Sequence, residues 1–250
     1  MQFVLRAGAL VSLMLSSLAT PLAMAAGPSD YVITPIVEDG EREIDFKAGT
    51  AKLREGSRES ASSLGVGWGA NSWWFTELYA KWHKEPGASN SFDAWEWENK
   101  FQLTETGKYP VDIGLLLEVE RPQLRSEGYE YRWGPLFQAD ITPSVQANLN
   151  LLFTKHIRTT NPGNAVLGYQ WQLKYRWRAE LEYGLQGFGD VGPWNHWEPK
   201  AEQSHIAGPA IFGRFKVGDH QVIKYNAGLL FALTDGAPRK TFRLQAEYEF

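Results

Sequence analysis

The fold is decided by the stretch AVLGYQWQLKYRW, residues 165–177, in which apolar and polar residues alternate. The odd-numbered positions, from Ala165 to Trp177, are all apolar or aromatic, and most even-numbered positions are polar or charged. Successive side chains of a β-strand point to opposite faces, so this alternation predicts a strand with one apolar and one polar face. The final stretch PRKTFRLQAEYEF, residues 238–250, alternates in the same way and predicts a second such strand.

The alternation repeats along the whole chain after residue 40, which predicts a single antiparallel all-β domain. We identify twelve segments, at 41–52, 60–70, 73–85, 91–104, 110–121, 129–142, 145–157, 165–177, 179–190, 204–217, 220–233 and 238–250. Ten or fourteen strands are the alternatives. Links after even-numbered segments are mostly tight, and links after odd-numbered segments are mostly longer and more polar. This asymmetry is typical of transmembrane β-barrels, and an even strand count puts both ends of the barrel on one side.

One residue departs from the alternation. Asn99 falls on the apolar face of the segment 91–104, which also carries Trp97 and Phe101. A polar side chain in the middle of a lipid-facing surface costs free energy when it has no hydrogen-bond partner. We therefore expect a β-bulge near Asn99, because a bulge changes the phase of the strand.

The first 25 residues are typical of a secretory signal peptide. Arg6 is their only charged residue, and the apolar stretch that follows it ends in the small-residue pattern Ala23-Met24-Ala25. A membrane anchor is the alternative. No later stretch has the roughly 20 mainly apolar residues of a membrane-spanning helix, so the exported chain is predicted to be either soluble or a β-barrel.

The C-terminal segment carries a resemblance to a known class of proteins. Its alternating apolar residues are Phe242, Leu244, Ala246, Tyr248 and the terminal Phe250. This pattern resembles the last strand of Gram-negative outer-membrane β-barrel proteins. The resemblance implies a protein of the outer membrane that contacts lipid and lipopolysaccharide and whose Phe250 is read by the barrel assembly machinery. In size and strand count the chain is similar to twelve-stranded barrels, which include narrow solute channels, a phospholipase and autotransporter translocators.

This resemblance sets the expected domain organisation. Residues 1–25 are the signal peptide, residues 26–40 a periplasmic N-terminal lead-in, and residues 41–250 the transmembrane β-barrel. The stretch from Tyr31 to Glu38 is predicted to be extended, and a short extra strand is the alternative to a lead-in there. Aromatic residues near the strand ends fit the girdles that such barrels place at the two membrane interfaces. They are Trp68, Trp73, Trp74, Trp82, Trp133, Trp171, Trp177, Tyr225 and Tyr248.

Composition excludes several classes of function. The formal net charge is −4, which argues against a basic nucleic-acid-binding protein. The absence of cysteine excludes a disulfide framework and a thiolate metal site. No spacing typical of a metal-binding or cofactor-binding motif occurs, so we predict neither a metal nor a cofactor.

The polar face of the strands predicts the lining of the lumen. An acidic wall is expected from segments four to six, with Glu96, Glu98, Asp112, Glu118, Glu120 and Glu130. A basic wall is expected opposite it, with Lys174, Arg176, Arg214, Lys216, Lys224 and Arg243. Opposed charges in a narrow lumen orient charged or dipolar solutes. The first hypothesis is therefore a channel for passive diffusion of small polar or charged solutes; the second is a non-conducting barrel, filled by paired charges, with a binding or envelope-structural role.

An outer-membrane hydrolase acting at the outer rim is the third hypothesis. Histidines near the predicted outer strand ends are His83, His156 and His205, but no G-x-S-x-G motif is present and we assign no catalytic residue.

In the outer loop 191–203, Trp194, His196 and Trp197 are candidate ligand contacts. The run Gly65-x-Gly67-x-Gly69 lies within a strand and is interpreted as permitting strand bending or close packing in the lumen.

Overall fold

The structure is a computed structural model that describes residues 27–160 and 162–250. The predicted signal peptide, residues 1–25, lies outside the described residues. Within them, twelve β-strands form a closed antiparallel barrel. The strands are β1 Arg42–Lys52, β2 Arg58–Asn71, β3 Trp74–Lys84, β4 Ser91–Gln102, β5 Asp112–Pro122, β6 Tyr129–Thr142, β7 Val145–Ile157, β8 Val166–Arg178, β9 Leu181–Pro193, β10 Ser204–Lys216, β11 Val222–Ala232 and β12 Lys240–Glu249. A short 3₁₀ turn at Arg125–Glu127 precedes β6.

The predicted strand count and order are confirmed. Each strand pairs with its neighbours in sequence, and β1 closes the barrel on β12, with Ile44 opposite Tyr248. The largest boundary difference is at the end of β9, which was predicted at Asp190 and is observed at Pro193. Alternation located the strands well because every strand of this barrel has one lipid-type face and one lumenal face.

The two ends of the barrel differ in their connections. At the end where β1 begins and β12 finishes, hereafter the turn end, most links are tight, such as residues 143–144 and 179–180. The links between β4 and β5, residues 103–111, and between β10 and β11, residues 217–221, are longer. At the opposite end, hereafter the loop end, the links include residues 158–165 and 194–203. The described part of the chain contains no helix long and apolar enough to cross a bilayer.

Aromatic pairs form a belt near each end of the barrel. At the turn end, the ring centres of Tyr175 and Tyr183 are 5.3 Å apart and those of Phe215 and Tyr225 are 5.8 Å apart. Near the loop end, Trp133 stacks on Phe153 with ring centres 5.9 Å apart. Between the belts the outward side chains are apolar and exposed, among them Phe46, Leu64, Leu117, Leu149 and Leu185. This surface has the composition of a lipid-facing band between interfacial girdles.

The bulge expected near Asn99 is not there. Register between β3 and β4 runs without interruption through the Thr76–Asn99 pair, and the irregularity in this strand pair lies farther along, between Lys81 and Trp82. Asn99 keeps its outward orientation but is only 7% exposed, because Trp74 covers it. The Trp74 indole Nε1 donates a hydrogen bond to Asn99 Oδ1 at 3.0 Å. A neighbouring side chain therefore satisfies this polar group, and the strand needs no change of phase.

The N-terminal segment lies inside the barrel, which corrects the expected periplasmic lead-in at residues 26–40. Residues 27–38, hereafter the lumenal segment, run from the loop-end half of the lumen to the turn end. Arg243 Nη2 donates a hydrogen bond to the Gly27 carbonyl at 3.3 Å, and the amide of Gly40 donates to the Gly69 carbonyl at 3.0 Å at the turn end. The segment enters the lumen because apolar side chains there offer it burial, as described below.

Candidate functional site in the barrel lumen

The ring of Tyr31 holds the lumenal segment against β1 and β3. The Lys47 ammonium lies 3.7 Å from the ring centre of Tyr31 and 3.7 Å from that of Tyr79. Lys47 Nζ also lies 3.2 Å from Asp45 Oδ2, and the Tyr31 hydroxyl donates a hydrogen bond to Glu98 Oε2 at 3.1 Å. A cation enclosed by two aromatic faces is attracted by both ring quadrupoles. Lys47 thus links the segment to the barrel wall.

The hydroxyl group of Tyr79 contacts two buried carboxylates next to Lys47. Its hydroxyl lies 2.6 Å from Glu77 Oε2 and 2.8 Å from Asp45 Oδ2. Both carboxylate oxygens lie within hydrogen-bond distance of this hydroxyl, which can donate to either of them. Two further oxygens, Glu77 Oε1 and Asp45 Oδ1, are buried without a hydrogen-bond partner among the described residues. The cluster therefore concentrates negative charge beside the single ammonium of Lys47.

Two glycines of β2 make room for the side chains of β3. A Cβ atom at Gly65 would collide with Glu77 and with the ring of Tyr79, and one at Gly67 would meet the ring of Phe75. Of the two sequence interpretations of this glycine run, close packing in the lumen is the one observed.

Two apolar pockets in the lumen wall hold consecutive residues of the segment. Ile33, which is 2% exposed, packs with Leu116, Leu136 and Leu152 on β5, β6 and β7. Val32 points to the other side and packs in a cluster on β9, β10, β11 and the loop after β11. That cluster consists of Phe188, Ile206, Leu230 and Ala237. The opposite directions of Val32 and Ile33 are those of an extended chain.

Side-chain amides of the wall bind the main chain of the segment. Asn150 Nδ2 donates to the Ile33 carbonyl at 2.9 Å, and the Ile33 amide donates to Gln170 Oε1 at 3.4 Å. Asn150 Nδ2 is also 2.9 Å from Gln170 Oε1, so the two amide side chains are fixed relative to each other. Farther along, the Val37 amide donates to Gln102 Oε1 at 2.7 Å. The lumen thus contacts backbone groups as well as side chains of the segment.

The predicted acidic wall lies in the lumen, but much of its charge is paired. Lys81 on β3 bridges Glu96, at 2.8 Å, and Glu120. Arg132 pairs with Glu118 and with Asp30 of the lumenal segment. Glu98 accepts the hydrogen bond from Tyr31. The remaining two predicted residues have local contacts: Asp112 Oδ1 accepts from the Gly107 amide, and Glu130 lies 3.4 Å from His156 Nε2.

A cavity of about 710 Å³ lies beside the lumenal segment and extends to the turn end, where Thr106 and Ala179 line it. Of the six predicted acidic-wall residues, Glu98 lines this cavity, and most of its other acids come from β1, β3 and β12 or from residues next to them. The other acids are Glu41, Glu43, Asp45, Glu77 and Glu247, together with Glu38 of the lumenal segment and Glu182 on β9. The lumenal position of two of these acids could have been predicted from the sequence, because Glu43 and Asp45 alternate with Ile44 and Phe46 along β1.

The predicted basic wall is present in part, with acidic residues next to its bases. Lys174, Arg176, Arg214 and Lys224 line the cavity. Lys174 pairs with Glu182 at 3.2 Å, Arg176 with Asp140 at 2.9 Å, and Lys224 with Glu247 at 3.2 Å. Lys216 is exposed at the end of β10, and Arg243 lies deeper, with its guanidinium 3.7 Å from the ring centre of Phe188.

At the loop end, the link between β11 and β12, residues 233–239, packs against the lumenal segment. Ala237 of this link is buried in the cluster around Val32, and Arg54 Nε donates to the Ala237 carbonyl at 3.1 Å. The candidate loop residues Trp194, His196 and Trp197 lie elsewhere, exposed on the link between β9 and β10. The structure therefore does not bring this trio together with the lumen.

Two of the three rim histidines, His205 and His156, have polar side-chain partners. Nδ1 of His205 is 2.8 Å from the Tyr169 hydroxyl, and its Nε2 is 2.8 Å from Gln203 Oε1. His156 faces Glu130. Among the hydrogen bonds of residues 27–160 and 162–250, none joins a serine hydroxyl to a histidine.

No protein-family model matches the sequence, and no curated protein matches it. Solved structures do match the fold. The NanC porin superposes with a TM-score of 0.56 at 9% identity, covering 83% of this chain and 98% of that chain. The KdgM porin gives 0.55 at 11% identity, with 83% and 99% covered. The translocator domain of the autotransporter NalP from Neisseria meningitidis gives 0.53 at 9% identity, with 85% and 88% covered.

These likenesses, together with the closed barrel and its apolar outer band, define the class: the chain has the fold of a Gram-negative outer-membrane β-barrel. Two of the three similar structures are porins by name, and a KdgM structure was determined in complex with disordered oligogalacturonate. At these identities the likeness concerns the fold.

Proposed function

We propose that the protein is a narrow outer-membrane channel for small polar or charged solutes, and that the lumenal segment keeps it constricted in the conformation described here. The observation that carries this proposal is the charge-lined cavity of about 710 Å³ that runs beside the segment to the turn end. Twelve strands enclose a lumen between the filled eight-stranded barrels and the wide sixteen-stranded porins.

The lumenal segment is held to the wall by non-covalent contacts and continues into β1 at the turn end. A solute that enters the cavity touches the segment directly, because Tyr31, Ile33 and Ile36 form part of its lining. Passage then requires the segment to move or to leave a gap along its length. The acids on β1 and β3 and the bases on β8, β10 and β11 act on charged solutes in this space.

Single-channel recording in planar bilayers tests the proposal. The full chain is compared with the variant Tyr31→Ala/Ile33→Ala, which removes the two largest anchors of the segment. The matched control is Tyr109→Ala/Val111→Ala, which truncates a tyrosine and an aliphatic residue that are 54% and 38% exposed. We expect discrete current steps that are larger or more frequent in the first variant and unchanged in the control. Heat-modifiable migration verifies that each protein is folded.

The second candidate is a non-conducting barrel with a structural or binding role in the envelope. It is favoured by the ion pairs of Lys81 and Arg132, which fill the loop-end half of the lumen with paired charge. Absence of current steps from folded protein, in both the full chain and the Tyr31→Ala/Ile33→Ala variant, would support this candidate and overturn the channel.

We also propose that Phe250 serves as the signal read by the assembly machinery. Its amide donates to the Arg42 carbonyl at 2.9 Å and its ring stacks on Tyr248, so the terminal residue is part of the β1–β12 closure while its side chain stays exposed. The variant Phe250→Ala is expected to reduce the amount of protein in outer-membrane fractions.

A further inference from the structure

Residues 30–33 of the lumenal segment bind to a site on the lumen wall, hereafter the seat, through four kinds of contact. Arg132 binds the carboxylate of Asp30, with Nη1 3.3 Å from Oδ2. Lys47 and Glu98 bind the ring and the hydroxyl of Tyr31. Two apolar pockets take Val32 and Ile33 on opposite sides. Asn150 and Gln170 bind the main chain of Ile33.

The apolar pockets adjoin polar side chains on the lumenal face. Leu136 lies between Arg132 and Gln138 on the inward face of β6, and Leu152 lies between Asn150 and Thr154 on β7. A water-filled lumen gives such side chains no partner, and burial against another apolar group stabilises them. Their presence indicates a lumen that is complementary to a chain with apolar side chains.

Pockets for alternate side chains combined with main-chain hydrogen bonds are the general means by which proteins bind extended peptides. We propose that the lumen is a binding site for extended oligopeptides. Residues 30–33 occupy this site and compete with such a peptide for it. The preferred sequence would be an acidic residue, an aromatic residue and two aliphatic residues. This inference rests on the proposed channel function and names its solute class.

Some hydrogen-bonding atoms around the seat have no partner in the lumenal segment. The Oδ1 atom of Asn150 is buried and has no hydrogen-bond partner among the described residues, and the same holds for Nε and Nη1 of Arg243. Arg243 is 4% exposed and uses Nη2 for the Gly27 carbonyl. Unpaired buried donors and acceptors are costly. A peptide with an additional N–H group near Asn150 and an additional carbonyl or carboxylate group near Arg243 would satisfy them better than the segment does.

The test is binding of a labelled peptide to the full-length refolded protein. The probe is a fluorescein-labelled hexapeptide with the sequence DYVITP, and a scrambled hexapeptide of the same composition is the control ligand. The receptor is the Tyr31→Ala/Ile33→Ala variant, in which the competitor is weakened. Fluorescence anisotropy reports binding, and a second substitution in the seat, Asn150→Ala, is expected to weaken it by about threefold to tenfold.

An engineered disulfide that holds the segment in place provides the matched control. It can be formed specifically because the chain has no native cysteine. A Cβ atom at Gly114 would lie 2.9 Å from the Cβ of Pro35. A disulfide needs about 3.8 Å between these atoms, so a shift of about 1 Å accommodates one in the Pro35→Cys/Gly114→Cys variant. We expect the peptide to bind the reduced protein at least about tenfold more tightly than the oxidised protein, since a locked competitor cannot leave.

The outcomes separate this inference from the channel proposal. Equal binding of the ordered and scrambled peptides, or no binding to the Tyr31→Ala/Ile33→Ala variant, would overturn the peptide site. If the Tyr31→Ala/Ile33→Ala variant conducts nevertheless, the channel proposal is retained and only the peptide site is rejected. Specific binding to a variant that passes no current would retain the peptide site and overturn the channel. Specific binding that also blocks the current would support both.

Discussion

The ammonium group of Lys47 lies at the same distance, 3.7 Å, from the ring centres of Tyr31 and Tyr79, so that one cation connects the lumenal segment to the wall of the barrel. Asp45, which is almost completely buried, is the ion-pair partner of Lys47. The position of the segment and the charge balance of this part of the lumen therefore depend on the same side chain.

The first prediction concerns Lys47→Gln. The substitution leaves Asp45 buried without its counter-ion, and loss of one partner of a buried pair costs about 3–5 kcal/mol. We expect a decrease of this size in the free energy of unfolding, measured by tryptophan fluorescence in urea with the protein in lipid vesicles. Lys84→Gln, at an exposed position near the end of β3, is the matched control and should change stability by less than about 0.5 kcal/mol. Equal losses in the two variants would contradict the assigned pairing.

The second prediction concerns Arg132, which pairs with Glu118 and Asp30. Arg132→Gln should destabilise the barrel by about 3–5 kcal/mol because it leaves Glu118 buried without its ion-pair partner. The double variant Arg132→Gln/Glu118→Gln removes both charges and should recover part of the loss, which urea unfolding of the two proteins in parallel would detect. A double variant no more stable than Arg132→Gln would show that Glu118 is not the group left unpaired.

The third prediction compares two leucines on opposite faces. Leu136 is fully buried against Ile33, whereas Leu149 is 43% exposed on the outer face. Leu136→Ala should cost about 2–5 kcal/mol through the cavity that it leaves. Leu149→Ala should cost much less, because lipid fills the space. Protease digestion at the N-terminus is a second readout, since a loosened segment becomes accessible in the first variant only.

The fourth prediction tests the hydrogen bond that accounts for Asn99. Trp74→Phe removes the indole donor and leaves Asn99 Oδ1 unpaired on the outer face, at a cost of about 1–3 kcal/mol. Adding Asn99→Leu to Trp74→Phe should restore most of that stability, because an apolar side chain suits this face. If Asn99→Leu destabilises the Trp74→Phe protein further, Asn99 has a partner other than Trp74.

Alternation predicted the barrel but not the contents of its lumen, for a physical reason. It reports which face of a strand a residue occupies, and so it placed Glu118 and Glu120 correctly inside. It does not report partners on other strands: the bridge from Lys81 to Glu96 and Glu120 depends on the register of β3, β4 and β5. Several carboxylates of the predicted acidic wall are therefore paired, with Lys81 or with Arg132, and alternation alone does not indicate these partners.

The lumenal segment could not be located from its own sequence. Residues 27–38 contain Pro28 and Pro35 and show no alternation of their own, so they resemble a linker. Their position depends on pockets formed by distant residues, and one of these, Leu116, is hidden in the run Leu115-Leu116-Leu117, where the two faces of the strand cannot be distinguished. Such contacts become evident only when the barrel is closed.

The fifth prediction distinguishes charges that face the cavity from charges that are paired away from it. Arg214 lines the cavity, is exposed, and has no ion pair within the described ranges, whereas Glu120 is bound to Lys81 and does not line the cavity. If solutes pass through the cavity, Arg214→Glu should shift the reversal potential toward cation selectivity under a salt gradient, because an unpaired charge next to the pathway acts on ions directly. Glu120→Gln should leave the reversal potential unchanged and instead lower the free energy of unfolding, since Lys81 loses one of its two partners. The reverse result, with selectivity following Glu120 and not Arg214, would mean that ions pass through the loop-end half along a route other than the cavity.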